Sequence, residues 1–252
     1  MKTLKELFKI GKGPSSSHTM GPQKAAKIFL ENNRGASSFE VTLYGSLAAT
    51  GKGHMTDIAI IEVLEPIAPV RIIWKPDVFL PFHPNGMKFR SLTNDEKPIN
   101  EWTVYSIGGG ALSEGKGDDD MFNSPEVYDM NSMTEIMKWC ERTGRNYWEY
   151  VQLCEDSSLW DYLEVVWIKM KEAVERGLKR EGRLPGPLNL PRKGPIYYVK
   201  ASGYKQSLQS RALVYAYALS VSEENASGGI IVTAPTCGSC GVLPAVLYHL
   251  SK

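Results

Sequence analysis

The spacing of the apolar residues changes near residue 130, and this change limits the fold more than any other feature of the sequence. Before it, residues 39–44 and 102–107 alternate between apolar and polar positions, which is typical of half-buried β-strands. After it, apolar residues recur every three or four positions over residues 159–180 and 207–223, as they do on one face of an α-helix. The sequence therefore predicts the α+β class.

Two domains are expected. A small mixed α/β domain covers residues 1–129, and a mainly all-α domain covers residues 130–252. Residues 114–126 are polar and contain glycine, which predicts a linker at the end of the first domain. The last helical pattern begins at Val242 and is largely apolar, so it requires a packing partner, and we expect the helical domain to be incomplete at its C-terminus.

The composition excludes two classes of partner. Of the 252 residues, 42% are hydrophobic and 23% are charged, and the formal net charge is +1. Because the basic residues are dispersed, no basic patch for nucleic acid or a membrane surface is predicted. The first ten residues lack the apolar core of a signal peptide, and no apolar run approaches the length of a membrane span. A cytoplasmic location is predicted.

The densest polar stretch is residues 11–22, called the opening loop below, which reads Gly-Lys-Gly-Pro-Ser-Ser-Ser-His-Thr-Met-Gly-Pro. Its two Gly-Pro pairs restrict the backbone, and a helical pattern follows at residues 23–30. The start of a helix is a favourable place for a carboxylate or a phosphate. Two interpretations are open: a loop that binds a small polar molecule, or a serine-rich cap that satisfies free N–H groups of the helix.

Three further polar clusters lie on turns that contain glycine or proline, at residues 51–57, 82–85 and 106–110. Taken alone, each of their histidines is better explained as a structural residue. His249, on the last helix, is given no role. The candidate residues of these clusters are Lys52, His54, Asp57, His83, Asn85, Ser106 and Gly108.

The cysteines do not indicate a disulfide framework or a zinc site. There are four of them, at positions 140, 154, 237 and 240, and only the last two form a C-x-x-C pair. No second pair and no histidine stands at zinc-finger spacing. A thioredoxin-like motif needs a βαβ setting, which the helical pattern around this pair does not supply.

These motifs together resemble the iron–sulfur-dependent L-serine dehydratases, also called L-serine ammonia-lyases. The opening loop carries the resemblance, with the three clusters and, in the helical half, the segments 176–186, 223–229 and 233–236. All of them occur in the order that the family shows, so the resemblance extends over nearly the whole chain. Such enzymes combine a small α+β domain with a larger helical one.

The resemblance implies conversion of L-serine to pyruvate and ammonia without pyridoxal phosphate, within amino-acid catabolism and gluconeogenesis. It implies a [4Fe–4S] cluster, held by three cysteines, whose open iron assists the departure of the substrate hydroxyl. It also implies a small-molecule substrate, L-serine, and a homodimeric full-length enzyme. After a base removes the α-proton, aminoacrylate forms and its imine is hydrolysed.

By the same resemblance, the site residues lie mainly in the opening loop and its neighbouring clusters. His54 and Lys52 are the expected catalytic residues, and His54 is chosen as the base only because its pKa range suits that role. Thr233 and Thr236 are expected to close the site from the helical side. The remaining expected substrate contacts are Ser15, Ser16, Ser17, His18, Thr19, Asp57, His83, Asn85, Ser106 and Gly108.

One departure from the family pattern concerns the cluster. The family's cysteines lie in a Gly-Cys-Gln-Ala-Glu-Val-Gly motif and in a later segment with Cys-Asp-Pro, and neither occurs here. Cys237 and Cys240 belong to a different loop, so no metal ligand is assigned to this chain, and activity of the chain alone is not expected. Two alternatives stay open: a non-enzymatic module that binds amino acids, and a pyridoxal-phosphate lyase, for which Lys205 lacks the usual Ser-x-Lys setting.

Overall fold

The computed structural model describes residues 1–115 and 126–252, and its fold is of the α+β class, as predicted. The linker predicted at residues 114–126 lies almost entirely outside the described residues, and the division into two domains stays a prediction. Within the described ranges, no helix has both the length and the apolar character needed to cross a membrane. The elements are, in chain order, β1 (Ile10–Lys12), α1 (Gly21–Glu31), β2 (Ser38–Tyr44), α2 (Gly45–Thr50), α3 (Thr56–Leu64), β3 (Val70–Lys75), β4 (Gly86–Leu92), β5 (Pro98–Gly108), β6 (Ala111–Ser113), α4 (Met133–Thr143), α5 (Tyr147–Cys154), α6 (Ser158–Lys179), α7 (Gly194–Ala201), α8 (Gln206–Ala226), β7 (Ile230–Val232) and α9 (Val242–Leu250).

A five-stranded sheet organises the first half of the chain, in the order β3-β2-β4-β5-β6. The edge strand β3 is parallel to β2, because α2 and α3 carry the chain back between them, and the other pairs are antiparallel. Alternate residues of β2 enter the core, where Phe39 and Leu43 pack with Phe29 of α1 and Ile60 of α3. The sheet therefore places Ser106, near the end of β5, against Gly21 at the start of α1.

The other face of β2 is polar, although its residues are buried. The carboxylate of Glu40 forms ion pairs with Arg71 of β3 and Arg90 of β4. These arginines, with Lys88 and Glu101, cover the strand with charged side chains. The pairs satisfy a carboxylate that burial would otherwise destabilise.

The second half is helical, and α6 and α8 are its central pair. Ala173 and Val174 of α6 pack with Tyr217 and Val221 of α8, and Ala245 of α9 joins the same core. The helical pattern predicted for residues 159–180 and 207–223 thus appears as α6 and α8.

The first twelve residues lie on the helical half and not on the sheet. β1 pairs antiparallel with β7, with Ile10 opposite Val232. The hydroxyl of Thr3 and the N–H of Leu4 both donate to the carboxylate of Glu155, at 2.6 and 2.8 Å. The opening loop, whose first two residues belong to β1, is therefore placed between the helical half and the sheet.

Candidate active site

The backbone of the opening loop forms one wide helical turn that continues into α1. The N–H groups of Thr19 and Met20 both donate to the carbonyl of Ser15, at 3.0 and 3.1 Å, and that of Gly21 donates to Ser16. The turn therefore uses the N–H groups of Thr19, Met20 and Gly21 within the backbone. In the described part of the chain, the N–H groups of Ser16 and Ser17 have no acceptor.

The hydroxyls of the opening loop differ in what they bind. The Ser15 hydroxyl accepts a hydrogen bond from the N–H of His18 at 3.1 Å, so Ser15 caps the wide turn. Thr19 is buried, and its hydroxyl donates to the carbonyl of His54 at 2.7 Å. The capping interpretation thus describes Ser15, while Thr19 connects the loop to the turn at residues 51–57.

Both ring nitrogens of His18 have hydroxyl partners. Nδ1 lies 3.0 Å from the Ser17 hydroxyl, and Nε2 lies 3.1 Å from the Ser46 hydroxyl. Burial lowers the pKa of His18 below its usual value, and the neighbouring His54 lowers it further. His18 is therefore a neutral ring in a fixed orientation at neutral pH.

His54 offers a free basic nitrogen. Its Nδ1 lies 3.0 Å from the carbonyl oxygen of Thr50. Because a carbonyl oxygen only accepts, Nδ1 must carry the proton, and the lone pair of the neutral ring is on Nε2. That nitrogen has no hydrogen-bond partner among the described residues. The ring of His54 faces that of His18, with the two centroids 4.7 Å apart.

Ser46 is a site residue that the sequence did not reveal. It is the second residue of α2, after Gly45, whose φ of +46° turns the chain at the end of β2. Its N–H donates to the carbonyl of Pro84 at 3.0 Å, while its hydroxyl is hydrogen-bonded to Nε2 of His18. A single Gly-Ser pair after a strand is too common to indicate this role.

His83, Asn85 and Ser106 form a second polar group. The N–H of Asn85 donates to Nδ1 of His83 at 3.1 Å, and its side-chain amide donates to the carbonyl of Ser106 at 3.1 Å. Burial lowers the pKa of His83. The Ser106 hydroxyl lies against Gly21, where a methyl group would be 2.3 Å away. These contacts, with those of Ser46, connect the opening loop to the other polar clusters of the first half. Gly108 ends β5 nearby.

Lys52 and Asp57 have contacts away from the two histidine rings. Lys52 is exposed, and its ammonium lies 5.7 Å from the centre of the Trp74 ring. The carboxylate of Asp57 accepts from the N–H of Ile58 at 3.0 Å. Met55 is the residue before α3, and the hydroxyl of Thr56, the first residue of α3, donates to the carbonyl of His18.

Thr233 and Thr236 also use their hydroxyls elsewhere. Thr233 is buried, accepts from the N–H of Lys9 at 2.9 Å and donates to the carbonyl of Leu7 at 3.3 Å. Thr236 is exposed and pairs with Ser239. From the helical half, Asn225 reaches the opening loop and donates to the carbonyl of Pro14 at 3.2 Å, and the thiol of Cys237 lies 3.9 Å from the sulfur of Met20.

A small cavity of about 150 Å³ adjoins the loop at its contact with the helical half. It is lined by Gly13 and Thr19 of the loop, by Met55, and by Gly228 beyond α8. A larger cavity of about 550 Å³ lies at the start of α7, and none of the expected site residues lines it. Another cavity of about 230 Å³ also adjoins the loop, at Gly11 and Met20, and Thr19 is the expected site residue that lines the small cavity.

The cysteines do not fit an iron–sulfur cluster held by three thiolates. Cys237 and Cys240 are buried in the core beside Tyr217 and Tyr248, and burial raises their pKa values to about 11 and about 12. The other two cysteines lie on α4 and α5. Throughout residues 1–115 and 126–252, no three His, Cys, Asp or Glu side chains are grouped so that they could hold a metal ion.

Comparison with known proteins gives one family. A family model described as the serine dehydratase beta chain matches residues 3–73 and 66–116. The L-serine dehydratase TdcG of Escherichia coli (strain K12) is 35% identical over 303 aligned positions, which cover 98% of this chain and 65% of that protein. L-serine dehydratase 1 of the same organism is 36% identical over 99% of this chain and 66% of its own length. An L-serine dehydratase of Haemophilus influenzae is 34% identical over 100% of this chain and 67% of its own length. The chain thus spans about two thirds of the length of these relatives.

Proposed function

The chain belongs to the serine dehydratase family, and we propose that it supplies the L-serine-binding part of an enzyme that converts L-serine to pyruvate and ammonia. One observation carries the proposal. A neutral, oriented His18 and a His54 with a free Nε2 face each other at 4.7 Å beside a loop of serines. A cytoplasmic location, a homodimer and a role in gluconeogenesis remain predictions.

The proposed binding mode uses two N–H groups that the loop leaves without acceptors, together with the hydroxyl of Ser17 and the ring of His18, which are bonded to each other. The N–H groups of Ser16 and Ser17 lie at the start of a continuous helical segment, which favours the carboxylate of L-serine. The Ser17 hydroxyl and the ring of His18 then contact the amino or hydroxyl group of the substrate. Thr19, Asn85 and Ser106 hold this arrangement from behind through their backbone contacts.

The proposed base is His54. Its Nε2 accepts the α-proton of L-serine, while its Nδ1–H continues to donate to the carbonyl of Thr50, which stabilises the imidazolium that forms. Loss of the α-proton prepares the Cα–Cβ double bond of aminoacrylate when the β-hydroxyl leaves. Lys52 is not included in this step, because its ammonium is directed to Trp74.

The [4Fe–4S] cluster implied by the resemblance would act as a Lewis acid on the leaving hydroxyl. Since the four cysteines of this chain do not fit it, we assign no step of the reaction to a cluster held here. We propose that its ligands are cysteines other than Cys140, Cys154, Cys237 and Cys240.

The experiment measures L-serine binding and L-serine turnover separately. Calorimetric titration of the 252-residue chain should show saturable binding of L-serine that is lost in His18→Ala. A hybrid in which this chain replaces the matched part of L-serine dehydratase 1 should release pyruvate from L-serine, and His54→Gln should abolish that release. Absence of L-serine binding by the chain contradicts the proposal. Binding together with a folded but inactive hybrid favours the non-enzymatic alternative.

A further inference from the structure

The turn that ends α8 contacts the opening loop through one side chain, that of Asn225. Its amide nitrogen donates to the carbonyl of Pro14 at 3.2 Å. A carbonyl oxygen only accepts, so this bond fixes which end of the side-chain amide carries the nitrogen. The other end is therefore the oxygen.

The amide oxygen of Asn225 is buried and has no donor. Asn225 is 9% exposed, and no N–H or O–H group in the described ranges reaches this oxygen. It lies instead against Gly13, where a methyl group would be 2.3 Å from both the side-chain and the main-chain oxygen of Asn225. A buried acceptor without a donor destabilises a fold, so packing alone does not explain an asparagine here.

A second hydrogen bond holds the same point of the loop. The N–H of Gly13 donates to the carbonyl of Gly229 at 3.1 Å, just beyond the end of α8. Residues 225 and 229 thus hold Gly13 and Pro14 from two sides. Ser15 follows immediately, and its hydroxyl caps the turn that presents Ser17 and His18.

We propose that Asn225 is a positioning residue of the serine site. It fixes the start of the opening loop, and through Pro14 and Gly13 it sets the place of Ser17 and His18 relative to the substrate. It does not itself touch the substrate. This inference rests on the proposed function only in taking L-serine as the ligand.

The test compares Asn225→Leu and Asn225→Asp with the unmodified chain. Leucine is similar in size to asparagine but has neither the amide nitrogen that donates nor the amide oxygen that lacks a donor. Aspartate instead places a second oxygen against the carbonyl of Pro14. Asn32→Asp is the matched control. Asn32 is an exposed asparagine at the end of α1, and its substitution by aspartate adds the same charge at a helix C-terminus. Three quantities are measured: hydrogen–deuterium exchange of residues 13–20, the affinity for L-serine and the melting temperature.

Both Asn225 variants should speed exchange in residues 13–20 and weaken L-serine binding by about tenfold or more. The melting temperature of Asn225→Leu should stay close to that of the unmodified chain, and Asn32→Asp should change neither exchange nor affinity. Unchanged exchange in the loop overturns the inference. So does a melting temperature lowered by several degrees with faster exchange throughout α8, which indicates a packing role. If the unmodified chain binds no L-serine, the proposed function fails, and the exchange measurement still decides whether Asn225 holds the loop.

Discussion

The rings of His18 and His54 lie 4.7 Å apart between centroids, with their planes inclined by 36°. Two positive charges at this distance repel, so protonation of one ring disfavours protonation of the other. His18 is the more constrained of the two, since both of its nitrogens have hydroxyl partners, while Nε2 of His54 has none within the described residues. The pair therefore combines an oriented neutral ring with a ring that is able to accept a proton.

The first prediction concerns acid stability. The pKa of His18 is lowered from 6.5 by burial and by His54, so between the two values the unfolded chain binds more protons than the native chain. The free energy of unfolding therefore rises with pH across that interval and falls on acidification below 6.5. Urea unfolding at about pH 5 and about pH 7.5 should show a smaller acid loss in His18→Gln than in the unmodified chain. An equal loss in both proteins would contradict this assignment.

The second prediction separates the cap from its neighbour. Ser15→Ala removes the acceptor for the N–H of His18 and should lower the free energy of unfolding by about 1 kcal/mol. Ser16→Ala is the matched control, because the Ser16 hydroxyl has no hydrogen bond in the described part of the chain and its removal should leave stability nearly unchanged. Urea unfolding measures both. Equal losses in the two variants would show that Ser15 is not a cap.

The third prediction concerns the ion pairs next to Asn225. The buried carboxylate of Glu224 lies 3.2 Å from the guanidinium of Arg192, which is 2% exposed, and also pairs with Arg176 and Arg180. Glu224→Ala leaves Arg192 buried without its partner and should cost about 3–5 kcal/mol of unfolding free energy. Glu172→Ala, which breaks half-exposed pairs with Lys169 and Arg176, should cost less than about 1 kcal/mol. Similar costs for the two variants would argue against the role of Glu224.

The sequence predicted the elements whose apolar spacing extends over several residues, such as β2, α6 and α8, because periodicity is measured over a window. It missed the pairing of β1 with β7, since three residues are too few to show alternation. In the site, the sequence indicated the polar turns but not how they meet. Ser46 reaches His18 across 28 positions and Asn225 reaches Pro14 across 211, and the sequence carries no local signal of such contacts.

The fourth prediction concerns the cysteines. Their burial and raised pKa values disfavour thiolates, so anaerobic reconstitution of the 252-residue chain with iron and sulfide should give no stoichiometric [4Fe–4S] cluster. Iron and sulfide content and visible absorption measure the outcome, and the double variant Cys237→Ser/Cys240→Ser should behave like the unmodified chain. A stoichiometric cluster that this variant loses would show that these residues are ligands after all.

The most direct test of the account is ring nitrogen NMR of the four histidines during titration with L-serine. His249, whose ring pairs with Ser210 on α8, serves as the internal control. We predict that the signals of His18 and His54 shift saturably with L-serine, that free His54 is protonated at Nδ1, and that His249 does not respond. If saturating L-serine leaves His18 and His54 unshifted, or shifts His249 equally, the serine site is not where we place it.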